Sequence, residues 1–70
     1  MMPLTLATLG EEYVIQKITG NAETKQHLAD LGFVVGGKVM AVSELDGSLI
    51  VNVKESRVAI GKSMAMKIMI

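Results

Sequence analysis

The stretch "HLADLGFVVGGKV", residues 27–39, begins like a helix and then stops abruptly at a set of glycines. Gly32, Gly36 and Gly37 fall within six positions, and glycines at this density either cradle a phosphate or mark turns. The stretch matches neither the GxGxxG nor the P-loop pattern. A phosphate cradle also precedes a helix, whereas a strand-like run follows Gly37. We therefore interpret these glycines as turn positions.

The residues before Gly32 predict one short helix with a defined start and end. Asn21 is a suitable N-cap, because its side-chain oxygen can accept a hydrogen bond from a free amide of the first turn. Leu28 and Leu31 form the apolar stripe, and Gly32 stands where helices commonly end in the left-handed conformation. Phe33 and Leu28 would then be the two residues that touch in a Schellman ending.

The dipeptide Asp46-Gly47 lies between two strand-like runs and predicts a two-residue hairpin, because both central positions need positive φ. After it, residues 49–53 alternate as a half-buried strand does. Before it, the parity of residues 39–45 places Val39, Ala41 and Leu45 on one face. The sequence therefore predicts two adjacent antiparallel strands here.

The two ends of the chain are less regular. Residues 12–18 are rich in strand formers but keep no single parity, which indicates a strand covered on both sides or one with a bulge. Residues 4–9 fit one turn of helix or an edge segment, residues 62–65 fit a helical turn, and "MKIMI" reads as a closing strand. The count is about five strands and one short helix, a mostly β chain. A strongly bent barrel is favoured over an open sheet covered by the helix.

Composition limits the classes of function. The 70 residues are expected to form one domain, 1–70, with an aliphatic core, since only Tyr13 and Phe33 are aromatic. The net charge is zero and the basic residues are scattered, which argues against nucleic-acid binding. The chain has no cysteine for disulfides or thiolate metal sites. No apolar run is long enough for membrane insertion. We expect a cytoplasmic protein, and the apolar composition leaves weak self-association open.

The sequence offers few candidates for chemistry. Four serines share the single histidine, His27, without a nucleophile motif, so we do not expect an enzyme. On the helix, Glu23, His27 and Asp30 share one face and present one nitrogen and two oxygens to a divalent metal. Ligands on one surface helix rarely bind tightly without supporting groups. An exposed polar face is therefore the favoured interpretation.

Methionine is unusually frequent, with six residues in this short chain. Met64 and Met66 lie two apart and would share a face if the closing strand extended that far back. Thioethers suit copper(I) rather than ferrous iron. We interpret these side chains as core packing or as an adaptable contact surface.

The whole chain resembles the FeoA family, the small cytosolic partner proteins of ferrous iron transport. The resemblance is carried, in order, by "TLATLGEEYVIQKITG", by "HLADLGFVVGGKV" and by "LIVNVKESRVAIGKSMAMKIMI". It implies an SH3-like barrel with one short α-helix inserted after the first long strand. It also implies a non-enzymatic accessory or regulatory role for FeoB, the membrane permease that carries a cytosolic G-protein domain.

A protein of this kind would act through contacts with a partner protein. Proline-rich peptides need an aromatic-lined groove, which two aromatic residues hardly provide, so we expect a different surface. The expected contact residues are Met64, Met66, Lys25 and His27. The expected structural residues are Gly32, Leu28, Leu31, Phe33, Asp46 and Gly47. The alternative is a direct metal-binding or metal-delivery protein that uses His27, Glu23 and Asp30; no cofactor is required, and any ferrous iron would bind weakly.

Overall fold

The computed structural model describes residues 1–70, which form six strands in two sheets. Strands β1, β3, β4 and β5 form one antiparallel sheet in that order, and β2 pairs with β6 in the other. In chain order the elements are a 3₁₀ turn (Leu4–Leu6), β1 (Glu12–Val14), β2 (Lys17–Ile18), α1 (Ala22–Asp30), β3 (Lys38–Leu45), β4 (Ser48–Val53), β5 (Ser56–Gly61), α2 (Lys62–Ala65) and β6 (Ile68–Met69). The mostly β prediction is confirmed, with one strand more than about five.

Helix α1 begins and ends as its sequence predicts. Asn21 Oδ1 accepts a hydrogen bond from the Thr24 amide at 2.8 Å. At the other end Gly32 has a φ of 108°. The Phe33 amide donates to the Leu28 carbonyl at 2.9 Å, and the Gly32 amide donates to the Ala29 carbonyl at 2.9 Å. These two bonds define a Schellman ending.

The β3–β4 hairpin turns at Asp46 and Gly47, whose φ values are 47° and 80°. Strand β4 alternates as predicted, with residues 49, 51 and 53 buried. The prediction for Leu45 is wrong, because its side chain is 64% exposed. The register of β3 against β4 shifts between Ala41 and Ser43. This bulge inserts one residue and reverses the faces beyond it.

Residues 12–18 form neither a bulged strand nor one covered on both sides. The chain passes from one sheet to the other instead: β1 pairs with β3, and β2 pairs with β6. At the crossing, the Ile15 amide donates to the Gly37 carbonyl at 2.8 Å, while the next amide, of Gln16, donates to Met69 at 2.7 Å. This change of sheet explains why the apolar residues of 12–18 keep no single parity.

One hydrophobic core lies between the sheets and the helices. It contains 13 buried residues, all apolar, and Phe33 is its only aromatic side chain. The chain ends meet beside it, since Met2 and Ile70 exchange two backbone hydrogen bonds of 2.9 and 2.8 Å. Of the two alternatives for residues 4–9, the structure has the helical turn, as Leu4–Leu6, and the helical turn predicted at residues 62–65 is present as Lys62–Ala65. The closing strand is limited to Ile68–Met69.

Candidate partner-binding groove

Helices α1 and α2 border a surface concavity of about 480 Å³, which we call the α1–α2 groove. Helix α1 supplies all of its lining except one side chain, which comes from α2. The lining residues are Glu23, Thr24, Gln26, His27, Asp30 and Met64. The groove therefore joins a polar helix face to a single thioether.

The spacing of the residues in α1 explains this polar face. Positions 23, 26, 27 and 30 are three or four residues apart and lie on one side of the helix, whereas Leu28 is fully buried in the core. Gln26 Nε2 donates to Asp30 Oδ1 at 2.8 Å. Glu23 and Asp30 contribute two carboxylates, and no lysine or arginine lines the groove. The groove is therefore acidic.

The structure brings together two of the four predicted contact residues. Met64 and His27 line the same groove, whereas Lys25 and Met66 are exposed outside it. Met64 and Met66 do not share a strand face, because Met64 lies in α2 and Met66 is the C-cap. Residues two apart on a helix point about 200° away from each other. Met64 is half-buried against the core, and Met66 is 59% exposed.

The three candidate metal ligands share the groove but do not form a chelating cluster. Glu23, His27 and Asp30 all line it. No group of three or more histidine, cysteine, aspartate or glutamate residues in the structure is close enough to hold a metal ion. One oxygen of Asp30 already accepts the hydrogen bond from Gln26. The arrangement offers scattered donors on one surface.

The predicted structural residues lie where packing requires them. Leu28 and Phe33 are fully buried, and Leu31 is half-buried against the same core. The other aromatic residue, Tyr13, is half-buried; its hydroxyl donates to Glu11 Oε2 at 3.1 Å and accepts from the Thr8 amide at 3.1 Å. The ring of Phe33 is therefore inaccessible to a peptide, and Tyr13 alone does not make an aromatic-lined groove.

A second feature is the exposed apolar surface of the turn at residues 34–37; the sequence predicts the turn but not this surface. Val34 and Val35 are 38% and 64% exposed, and Val14 nearby is 43% exposed. The Gly36 amide donates to the Ile15 carbonyl at 2.8 Å, which holds this turn against the end of β1. The signal was present as "VVGG" and as the broken parity around Val14. Exposed apolar residues that lie together often mark contact surfaces.

A further concavity of about 550 Å³ lies over Gly32 and the start of β3. Its charged residues are balanced, with two lysines and two glutamates. Lys38 Nζ and Glu12 Oε1 are 3.8 Å apart and both side chains are mostly exposed, so this pair contributes little to stability. The mixture of charges indicates no particular ligand.

No helix in the structure combines the length and the apolar character needed to span a membrane.

The family model, a curated relative and several solved structures point to one family. The model of the FeoA domain matches residues 2–70. A Methanocaldococcus jannaschii protein named "Putative Fe(2+) transport protein A" is 37% identical over 70 residues, which are 100% of this chain and 85% of that protein. The crystal structure of an iron uptake regulatory protein (FeoA) superimposes with a TM-score of 0.87 at 27% identity, covering 96% of this chain and 89% of that one.

The crystal structure of Stenotrophomonas maltophilia FeoA complexed with zinc is also similar. Its TM-score is 0.83 at 27% identity, and the match covers 99% of this chain and 88% of that one. That protein is described as an SH3 domain protein. The SH3-like fold expected for the present chain is thereby confirmed.

Proposed function

The chain belongs to the FeoA family of ferrous iron transport proteins, and we propose that it is a non-enzymatic accessory protein that binds the cytosolic portion of a FeoB-type permease. The observation that carries this proposal is the match of the FeoA domain over residues 2–70. The relative named for Fe(2+) transport supports the proposal, because its match includes all 70 residues of this chain. A cytoplasmic location is part of the same proposal, because the portion of the permease that the chain is proposed to bind lies in the cytosol.

The α1–α2 groove is the proposed contact surface. Met64 is half-buried and adaptable, so it can fit a partner without a fixed shape. The carboxylates of Glu23 and Asp30 stand beside it and suit basic or hydrogen-bond-donating groups on the partner. His27 adds a polar group at the same place. Lys25 and Met66 then lie at the periphery, where substitutions have smaller effects.

The affinity is expected to be in the micromolar range, about −8 kcal/mol, as for transient contacts. The test uses the full chain and the purified cytosolic portion of the permease from the same organism. Met64→Glu adds a charge inside the groove and is expected to weaken binding at least about tenfold. Met66→Glu is the matched control, since it adds the same charge two residues away and outside the groove.

Both variants must first give the wild-type amide spectrum, because a charge forced into a core would unfold the protein. Equal effects of the two substitutions would remove the groove from the proposal. If the wild-type chain fails to bind the permease both in detergent and in native membranes, the proposed partner itself is wrong.

Direct metal binding or delivery is the second candidate function. The observation in its favour is that Glu23, His27 and Asp30 line one groove. The related Stenotrophomonas maltophilia protein was crystallised with zinc. Because the present donors form no cluster, any transition metal is proposed to bind weakly, and no bound iron is needed for the contact function.

A further inference from the structure

Strand β5 forms one edge of the four-stranded sheet, and its backbone is open on one side. Its partner β4 is joined to it by a two-residue turn, with Val53 opposite Ser56. Residues that flank such a turn bond to each other, and bonded pairs then alternate along the ladder. Residues 56, 58 and 60 therefore bond to β4. The N–H and C=O groups of Arg57 and Ala59, and the N–H of Gly61, point away from the sheet.

These outward groups have no partner within the chain. None of the backbone hydrogen bonds outside the regular elements involves Arg57 or Ala59. No side chain bonds to their backbone either. Both residues are exposed, and the register of β4 against β5 runs without a bulge. The edge is thus an uninterrupted, accessible row of free donors and acceptors.

The opposite edge of the sheet, β1, is protected in ways that β5 is not. Strand β1 has only three residues, and the Gln16 side-chain amide donates to the carbonyl of Val14 at 3.4 Å. Strand β5 has six residues and no proline. Its one charged side chain, Arg57, donates through Nε to Asn52 Oδ1 at 2.9 Å. Asn52 lies on β4, so the bond draws the charge inward, away from the free edge that charges commonly protect.

We propose that β5 pairs antiparallel with β5 of a second copy of this chain, centred on Val58 and Ala59. The two four-stranded sheets then become one sheet of eight strands. A second copy supplies the same row of free groups, so each outward N–H meets an outward C=O. The pairing is independent of the α1–α2 groove, which involves other elements.

The charges favour a second copy as the occupant. With Val58 or Ala59 on the two-fold axis, Arg57 stands opposite Ala59 or Gly61 of the other copy, so like charges do not face each other. The net charge of zero adds no long-range repulsion between copies. On the other face, half-buried Val58 gains an apolar neighbour. One strand of six residues is small for an interface, so the dimer is expected to be weak.

The experiment follows the full chain by sedimentation velocity and by amide NMR from about 10 µM to about 1 mM, a range suited to weak dissociation constants. We expect the sedimentation coefficient to rise with concentration. The amide signals of Arg57 and Ala59 should shift along with it and become protected from hydrogen exchange. The α1 amides should not move.

Two substitutions at the same exposed position test the pairing. Ala59→Lys places its ammonium group opposite Arg57 of the other copy when Val58 is on the axis, or opposite the same ammonium group when Ala59 is. Like charges face each other in both registers, so the substitution is expected to weaken dimerisation at least about tenfold. Ala59→Ser is the matched control and should dimerise like the wild-type chain. Circular dichroism and thermal melting confirm that both variants are folded.

A monomer at every concentration would overturn the proposal. So would a dimer that Ala59→Lys leaves unchanged, because another surface would then be responsible. If the β5 amides respond only when the cytosolic portion of a permease is added, the edge receives a strand of a different protein and self-pairing is wrong.

Discussion

The amide of Phe33 donates to the carbonyl of Leu28 at 2.9 Å, and both side chains are completely buried in the same core. The hydrogen bond that ends α1 thus also fixes where the only buried aromatic ring enters the interior. Local chain geometry and core packing are therefore coupled at Gly32, the residue between the end of the helix and this ring.

Gly32→Val should destabilise the protein by at least about 1 kcal/mol, because a β-branched residue tolerates the left-handed conformation poorly. A Cβ at Gly32 would itself meet Val53 at an ordinary 3.6 Å, so the backbone conformation already opposes any side chain here before packing does. In a domain of this size the melting temperature should fall by about 4–8 °C or more. Lys25→Ala, on the exposed side of α1, should hardly change it. Equal melting temperatures of wild type and Gly32→Val would contradict the observed helix ending.

Lys54→Gly should stabilise the protein. Lys54 has a φ of 54°, an unfavourable conformation for a lysine. Removing this strain gains about 1–2 kcal/mol, while the greater freedom of glycine in the unfolded chain costs about 0.5–1 kcal/mol. The neighbouring Glu55 does not have a positive φ. Glu55→Gly therefore relieves no strain and should destabilise the protein through the greater freedom of glycine in the unfolded chain. Urea unfolding should show the two variants on opposite sides of the wild type, and the same sign for both would refute the strain at Lys54.

Leu49→Ala should destabilise the protein by about 2–5 kcal/mol, whereas Leu45→Ala should change its stability by less than about 0.5 kcal/mol. The reason is the bulge in β3, which leaves Leu45 64% exposed, while Leu49 across the hairpin is only 2% exposed. Thermal unfolding of the two variants measures the difference. Similar losses would mean that β3 keeps its parity and that Leu45 is in the core.

Anaerobic titration of the isolated chain with ferrous iron should show no tight one-to-one site. The candidate donors Glu23, His27 and Asp30 share a groove but form no cluster, and the chain has no cysteine. Calorimetry and paramagnetic broadening of the α1 amide signals measure the binding. A saturable site that is lost in His27→Ala would instead favour the metal-binding function over the contact function.

The parts of the fold that depend on neighbouring residues could be predicted from the sequence. Asn21 as a cap, Gly32 as a helix end and Asp46-Gly47 as a hairpin each follow from what one or two residues do to the local backbone. The change of sheet at Ile15 and the bulge before Ser43 could not be predicted. Both depend on which distant strand supplies the hydrogen-bond partner, and an irregular apolar pattern does not identify that strand.

The candidate groove shows the same limit. Helix periodicity placed Glu23, His27 and Asp30 on one face, but the meeting of this face with Met64 depends on how α2 packs. Met64 and Met66 do not share a strand face, because the closing strand does not extend back to them and the chain forms the helical turn predicted for residues 62–65. The free edge of β5 also follows from sheet order, which no local pattern reveals.

The mutual hydrogen bonds of Met2 and Ile70 make the polypeptide almost a closed ring. A short flexible linker from residue 70 back to residue 1 would join the ends with little distortion, and the exposed turn at Asp46-Gly47 offers a place to open new ones. The same geometry lets the domain be inserted into a surface loop of a host protein, since it enters and leaves at one point. Such permuted or inserted forms would keep both the α1–α2 groove and the β5 edge. The choice of linker or host loop would set how these two surfaces are oriented relative to the rest of the protein.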